Sequence, residues 1–218
     1  MGNSLPECAP SANNAFAGDD YGEEPAAISQ ATKTSAVFLM QSLESLGKRI
    51  VVLGPSNAGK STLAVALSTK LNIPAIHLDQ FQHLPNTDWQ VRPEAEFARM
   101  HDAAILGERW VMEGNYSRLM PQRLARATGA VLITSSRWLR LWRYLARTSL
   151  NRSGRAGHLE GAQDSIKWEM IEWILFRTRN SATKYSEILH HSDLPIVECH
   201  TAKALNELYR RWDLPPFK

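Results

Sequence analysis

Apolar residues in this chain fall in short runs separated by longer stretches with a helical period, and that rhythm predicts alternating strands and helices. Ile50-Val-Val-Leu53 is a continuous apolar run between Arg49 and Gly54, the mark of a strand buried on both faces. Ser61–Leu71 then follows a helical pattern. Pro74–Leu78 predicts a second strand ending at Asp79, and Pro93–Leu106 a helix with Pro93 suited to its first turn. Arg109–Met112 predicts a third strand ending at Glu113, and Gly129–Ile133 a fourth. Ser136–Leu150 reads as a helix, and Asn151–Gly161, polar and rich in glycine, as a loop or lid. Gln163–His190 reads as helical with a break or bend near Arg179-Asn-Ser181. Pro195–Glu198 predicts a fifth strand and Ala202–Trp212 the last helix. The alternation implies an α/β fold: a five-stranded parallel sheet covered by helices on both faces. Ligands of such sheets bind beyond the carboxyl ends of the strands, where Gly54, Asp79 and Glu113 fall.

Composition narrows this picture only modestly. The chain has 218 residues, 44% hydrophobic and 22% charged, enough for one domain with a sizeable core. Residues 1–45 are rich in Ala, Ser, Asn, Gly, Pro and acids and predict a flexible extension, with a short amphipathic helix possible over Ser35–Leu46. Residues 46–218 form the predicted domain, with a lid at 147–162. Cys8 and Cys199 are the two cysteines, far apart and in no disulfide or metal-binding pattern. No apolar run approaches the roughly 18 residues of a membrane span. A reducing, cytoplasmic setting is expected, with no membrane partner and a monomer or homodimer.

The chemistry concentrates at Gly54-Pro-Ser-Asn-Ala-Gly-Lys-Ser-Thr62, which fits the phosphate-loop pattern G-x-x-x-x-G-K-[ST] between a strand and a helix. Glycines let backbone N–H groups crowd around phosphate oxygens, and a helix N-terminus adds partial positive charge. Gly54, Ser56, Asn57, Ala58, Gly59, Lys60, Ser61 and Thr62 are therefore the expected nucleotide contacts. Lys60 would reach the β- and γ-phosphates and the Ser61 hydroxyl would ligate Mg²⁺. Of the strand-end carboxylates, one could support the metal through water and the other could take a proton from an acceptor hydroxyl, or each could simply cap its own loop.

The second signal is electrostatic. From Gly114 to Leu159 there is no Asp, Glu or Lys but nine arginines: Arg118, Arg123, Arg126, Arg137, Arg140, Arg143, Arg147, Arg152 and Arg155. Arginine without lysine suits bidentate contact with phosphate. Arg140, Arg143 and Arg147 share a helical face. Arg152 and Arg155, in the lid, could approach a transferring phosphoryl group. Arg123, Arg126 and Arg137 serve equally well as a solvated basic face, and the whole stretch could instead follow a nucleic-acid backbone. Trp138, Trp142, Trp168 and Trp173 suit core or helix packing better than base stacking, and His77 suits packing better than catalysis. His190-His191 and Cys199-His200 lack the spacing of a metal site.

Lys48–Trp212 resembles the adenylate-kinase-like P-loop kinases, closest to the FlaR-related bacterial topology modulation proteins. The resemblance is carried by Gly54-x4-Gly59-Lys-Ser61, Pro74-x-Ile-His-Leu-Asp79, Trp110-Val-Met-Glu-Gly-Asn-Tyr-Ser117, Arg123-Leu-Ala-Arg-Ala127 and Arg137-Trp-Leu-x-Leu-Trp-Arg143. It implies a P-loop NTPase fold, ATP with Mg²⁺, an arginine-bearing lid, and an acceptor site built after strands two and three. It implies Asn115, Arg118 and Gln122 as acceptor ligands, Arg143 beside the nucleotide, Asp79 on the acceptor, Glu113 supporting Mg²⁺, and Arg147, Arg152 and Arg155 at the transferring group. The chain departs from the pattern in carrying Glu113 where relatives tend to have Asp, and Thr134-Ser-Ser136 where they tend to have Asp after strand four. The expected activity is transfer of the ATP γ-phosphoryl group to a nucleotide, nucleoside or other small acceptor. The alternative is a nucleotide-responsive regulator that binds DNA or RNA through its arginine face.

Overall fold

A computed structural model describes residues 41–149, 157, 159 and 165–215. Five strands, β1 (Arg49–Leu53), β2 (Ala75–His77), β3 (Trp110–Glu113), β4 (Gly129–Ile133) and β5 (Ile196–Cys199), form one sheet of order β2-β3-β1-β4-β5. Every pairing is parallel, with Val51 opposite Met112 on one side and Ala130 on the other. The helices are α1 (Lys60–Leu71), α2 (Leu78–Gln82), α3 (Glu94–Ile105), α4 (Met120–Arg126), α5 (Arg137–Ser149), α6 (Trp168–Glu172), α7 (Ser181–His190) and α8 (Ala202–Arg211).

The period-two geometry of the strands divides the core in two. Ile50, Val52, Val131, Ile133 and Val197 pack against Leu63 and Leu67 of α1 and Leu205 and Leu208 of α8. Val51, Leu53, Met112, Ala130 and Leu132 pack on the other face against Phe97 of α3, Met120 of α4, and Tyr185 and Leu189 of α7. This is the three-layer α/β arrangement that the apolar runs imply, with the sheet buried on both sides.

Several boundaries differ from the sequence reading. Strand β2 stops at His77, so Asp79 lies in the first turn of α2 rather than at a strand end. Leu78, fully buried, turns the chain into that helix. Helix α4 was not anticipated, because seven residues are too few for a helical period to show. The segment read as helical from Gln163 has no regular structure at 165–167, begins as α6 at Trp168, and passes through a π-helical turn at Trp173–Arg177. It then breaks at 178–180, close to the expected bend, before α7. Leu43 and Leu46, at the start of the described chain, join the core beside α8.

The tryptophans overturn their expected placement. Trp138, Trp142 and Trp168 are 63%, 66% and 72% exposed. The inward face of α5 is instead Arg140, Tyr144 and Thr148, one turn apart from each other. The polar tips of Arg140 and Tyr144 meet the irregular segment alongside. Arg140 donates to Thr178 Oγ1 at 2.9 Å and to the carbonyl of Ile174 at 3.2 Å. The Tyr144 hydroxyl donates to the carbonyl of Ser165 at 3.2 Å and accepts from the Lys167 N–H at 2.8 Å. A backbone with unspent carbonyls needs donors, and indole surfaces cannot satisfy several of them.

Candidate active site

The loop between β1 and α1 adopts geometry that its glycines require. Gly54 has φ of 142°, and a Cβ there would lie 2.0 Å from the Ile133 carbonyl oxygen of β4. Gly59 has φ of 109° and Asn57 of 62°. Gly59 ends the loop, and no side chain caps the N-terminus of α1. Among the described residues, the first N–H groups of that helix have no capping side chain, as an anion site needs. Lys60 folds back across the loop and donates to the Pro55 carbonyl at 3.2 Å. Among the described residues, Ser56 and Thr62 of the loop are half-buried and Ala58 is buried.

Glu113-Gly-Asn-Tyr116, the last residue of β3 and the turn after it, joins the loop to its surroundings one residue at a time. The Ser61 hydroxyl donates to Glu113 Oε1 at 2.9 Å, and His77 Nδ1 lies 2.9 Å from the same oxygen. Asn115 Oδ1 accepts from the Gly54 N–H at 3.3 Å. The Tyr116 hydroxyl donates to Asp79 Oδ1 at 2.7 Å. Gly114 has φ of 124° and Tyr116 of 40°, so the segment turns sharply enough to face three ways. His77, expected as packing, thus serves as the carboxylate's partner. No feature of the sequence distinguished it, because its role depends on β2 lying beside β3.

Electrostatics follow from that packing. Burial alone pushes the Glu113 carboxyl up, but the His77 hydrogen bond and the Lys60 charge together hold it below the ordinary range. Burial, then the neighbouring Asp79 carboxylate, raise Tyr116 well above a usual phenol, so its hydroxyl stays a donor to Asp79. Asp79 is exposed, and among the described residues Tyr116 bonds its Oδ1 and not its Oδ2. Burial lifts the Cys199 thiol to about 12, which makes it inert. His190 and His200 both face Glu198, at 3.2 and 2.9 Å, and no group of three or more metal-ligating side chains occurs among the described residues.

The arginines scatter. Arg143 donates to the Ala58 carbonyl of the loop at 2.9 Å. Arg147 lies over the Tyr144 ring at 5.8 Å. Arg118 is exposed and pairs with Glu94, and Gln122 is exposed on α4. Arg123, for which a solvated face and a functional role read equally well, is fully buried and donates to the Asn115 carbonyl. Arg126 donates to the carbonyls of Ile105 and Leu106, and Arg137 stacks on Trp138 at 5.7 Å. Arg152 and Arg155 lie outside the described residues. From the expected lid, Gly157 sits against the loop: a Cβ there would come 3.0 Å from His77 Nδ1 and 3.3 Å from Ser61 Oγ. A separate cleft lined by Gly47, Lys48, Leu71, Ile73 and Arg109 opens at the amino ends of β1 and β3, away from all of these groups.

A parallel sheet of this order, with a G-x-x-x-x-G-K-S loop leading from β1 into α1, defines the P-loop NTPase fold. Among solved structures the chain is similar to a shikimate kinase from Bacteroides thetaiotaomicron, at 18% identity and a TM-score of 0.46 over 77% of this chain and 99% of that one. It is also similar to a gluconokinase from Sinorhizobium meliloti 1021, at 16% identity and a TM-score of 0.44 over 77% of this chain and 90% of that one. Likeness at this level supports no statement about what the chain acts on. No family model matches the chain, and no curated protein matches it.

Proposed function

We propose that this chain is a phosphotransferase that moves the γ-phosphoryl group of ATP to the hydroxyl or phosphate of a small acceptor, such as a nucleoside or nucleotide. One observation carries the reading: Ser61, Glu113 and His77 share one carboxylate oxygen beside Lys60 in the phosphate loop. That donor set fits Mg²⁺. Hard oxygen ligands suit the ion, which keeps several waters and takes only one or two groups from the protein. Bound ATP with Mg²⁺ supplies the transferable phosphoryl group and part of the positive charge that stabilises its transfer.

The residues divide the remaining work. The loop N–H groups between Ser56 and Thr62 and the Lys60 ammonium would hold the phosphates, and Ser61 would ligate the metal. Glu113, kept ionised and fixed by His77, would hold a metal-bound water. Arg143, already against the loop, would lie beside the nucleotide. Asn115, Arg118 and Gln122 would line the acceptor side, and for Arg118 this means exchanging Glu94 for the acceptor. Asp79 would take the acceptor proton while the acceptor oxygen bonds to the γ-phosphorus and the bond to the ADP oxygen breaks. Arg147, Arg152 and Arg155 would offset the charge that develops. Kinship with the topology modulation proteins rests on the shared sequence blocks alone. The nucleic-acid reading gains nothing, since Arg123 and Arg140 are buried and Arg143 is engaged with the loop.

The test is transfer of labelled γ-phosphate from ATP–Mg²⁺ to a panel of nucleosides, nucleotides and small alcohols, with Lys60→Ala in parallel. A labelled product that falls by about a hundredfold or more in a folded Lys60→Ala protein is expected. Turnover unchanged in that variant would remove the reading.

A further inference from the structure

We infer that Arg123 is a positioning residue, a buried strut that holds the Glu113–Tyr116 segment in the turned geometry joining the phosphate loop to the acceptor side. Its guanidinium has no exposure. Its Nη2 donates to the Asn115 carbonyl, while Nε and Nη1 have no hydrogen-bond partner among the described residues. Burial draws its pKa down to about 10, so it remains charged at neutral pH. No ion pair with a carboxylate is found for it among the described residues; the negative charge it feels is that of Glu113.

A charge buried with so few partners is a poor packing residue, because apolar groups of the same volume fill such sites without the desolvation cost. What the guanidinium does contribute is specific. Asn115 receives it on the backbone carbonyl and, on the side chain, accepts from the Gly54 N–H that opens the phosphate loop. The next residue, Tyr116, is held at φ of 40°, a region a tyrosine leaves unless its surroundings fix it. From there its hydroxyl sets Asp79. One cation beneath the turn thus braces the groups proposed for both substrates. The inference deepens the phosphotransferase reading and rests on it for its kinetic arm only.

The experiment compares Arg123→Met and Arg123→Lys with the full wild-type chain by thermal unfolding, by amide exchange at Gly54 and residues 113–117, and by phosphoryl-transfer kinetics. Arg123→Met should unfold at a temperature no lower than wild type. Its amides in those positions should exchange about tenfold faster. Its kcat should fall about tenfold or more, with the KM for ATP changed by less than about threefold, because misplacement affects the transition state more than the phosphate grip. Arg123→Lys, which can still donate to the Asn115 carbonyl, should recover part of both losses. An Arg123→Met protein of lowered melting temperature, with local exchange unchanged, would make Arg123 a packing residue and overturn the inference. If Arg123→Met does not fold, the lysine variant decides, since unchanged exchange and kcat there also overturn it. If the wild type transfers no phosphate, the kinase reading fails while the exchange arm still decides the strut.

Discussion

The phosphate loop and the arginine stretch that runs through helix α5 were the two strongest signals in the chain, and they fared differently. In the loop, function is local. Gly54, Gly59, Lys60 and Ser61 lie within eight residues, and backbone geometry alone aims the N–H groups and the lysine. In α5, the arginines look equivalent in sequence, yet the helix and its neighbours give each a different task. Arg140 is spent on the carbonyl of Ile174 and the hydroxyl of Thr178, Arg143 reaches the phosphate loop, and Arg137 stays outside on Trp138. A cluster of like charges in sequence is therefore not a charged surface. Helical phase and the hydrogen-bond demands of an irregular neighbour decide which members remain available.

The sharpest challenge to the loop side is Glu113→Gln. It keeps the shape and an acceptor for Ser61 but removes the charge, and kcat should fall about a hundredfold with a weaker dependence on Mg²⁺. A Mg²⁺ titration of turnover reads this directly. Activity within about twofold of wild type would reduce Glu113 to a structural acceptor.

The α5 side is tested by a pair. Arg140→Ala should cost about 2 kcal/mol of stability, since it removes the buried hydrogen bonds to Thr178 Oγ1 and the Ile174 carbonyl, while activity per folded molecule holds. Arg143→Ala should barely move stability, because the side chain is only half-buried, yet weaken ATP binding about tenfold. Chemical denaturation and a nucleotide titration separate the two. Equal effects from both variants would erase the distinction drawn between them.

The smallest effect lies away from both regions, at the Glu198 clamp on β5. The Glu198 hydrogen bond raises His200, and the His200 hydrogen bond lowers Glu198. The histidine's share of stability is full below its ordinary value of 6.5 and disappears as pH rises through the raised one. The carboxylate's share is present above 4.5 and disappears as pH falls through the lowered value. With His200 57% exposed, solvent screening limits the pair. His200→Gln should lose at most about 0.5 kcal/mol at about pH 6 and nothing at about pH 9, as read by denaturation at the two pH values.

Much of the fold was legible because buried parallel strands announce themselves as apolar runs. Gly129–Ile133 was read to the residue, and the other strands within two. Helix α4 was missed for its shortness, and the π-helical turn inside the segment read as helix was not anticipated because such a turn has no sequence period of its own. Of the site, the loop and both carboxylates were in reach. His77 and Arg123 were not, since each acts only on a neighbour brought to it by the sheet or by α4. The exposed tryptophans failed the usual expectation for the same reason.

By itself, the sequence determined the strand–loop–helix that can bind phosphate, since short-range sterics and backbone dipoles act within a few residues. Only the tertiary structure decided which distant groups complete it. His77 on Glu113, Arg123 under Asn115 and Tyr116 on Asp79 all join residues from separate elements. Those contacts depend on sheet order and on burial, where a desolvated charge takes the partner that packing places beside it.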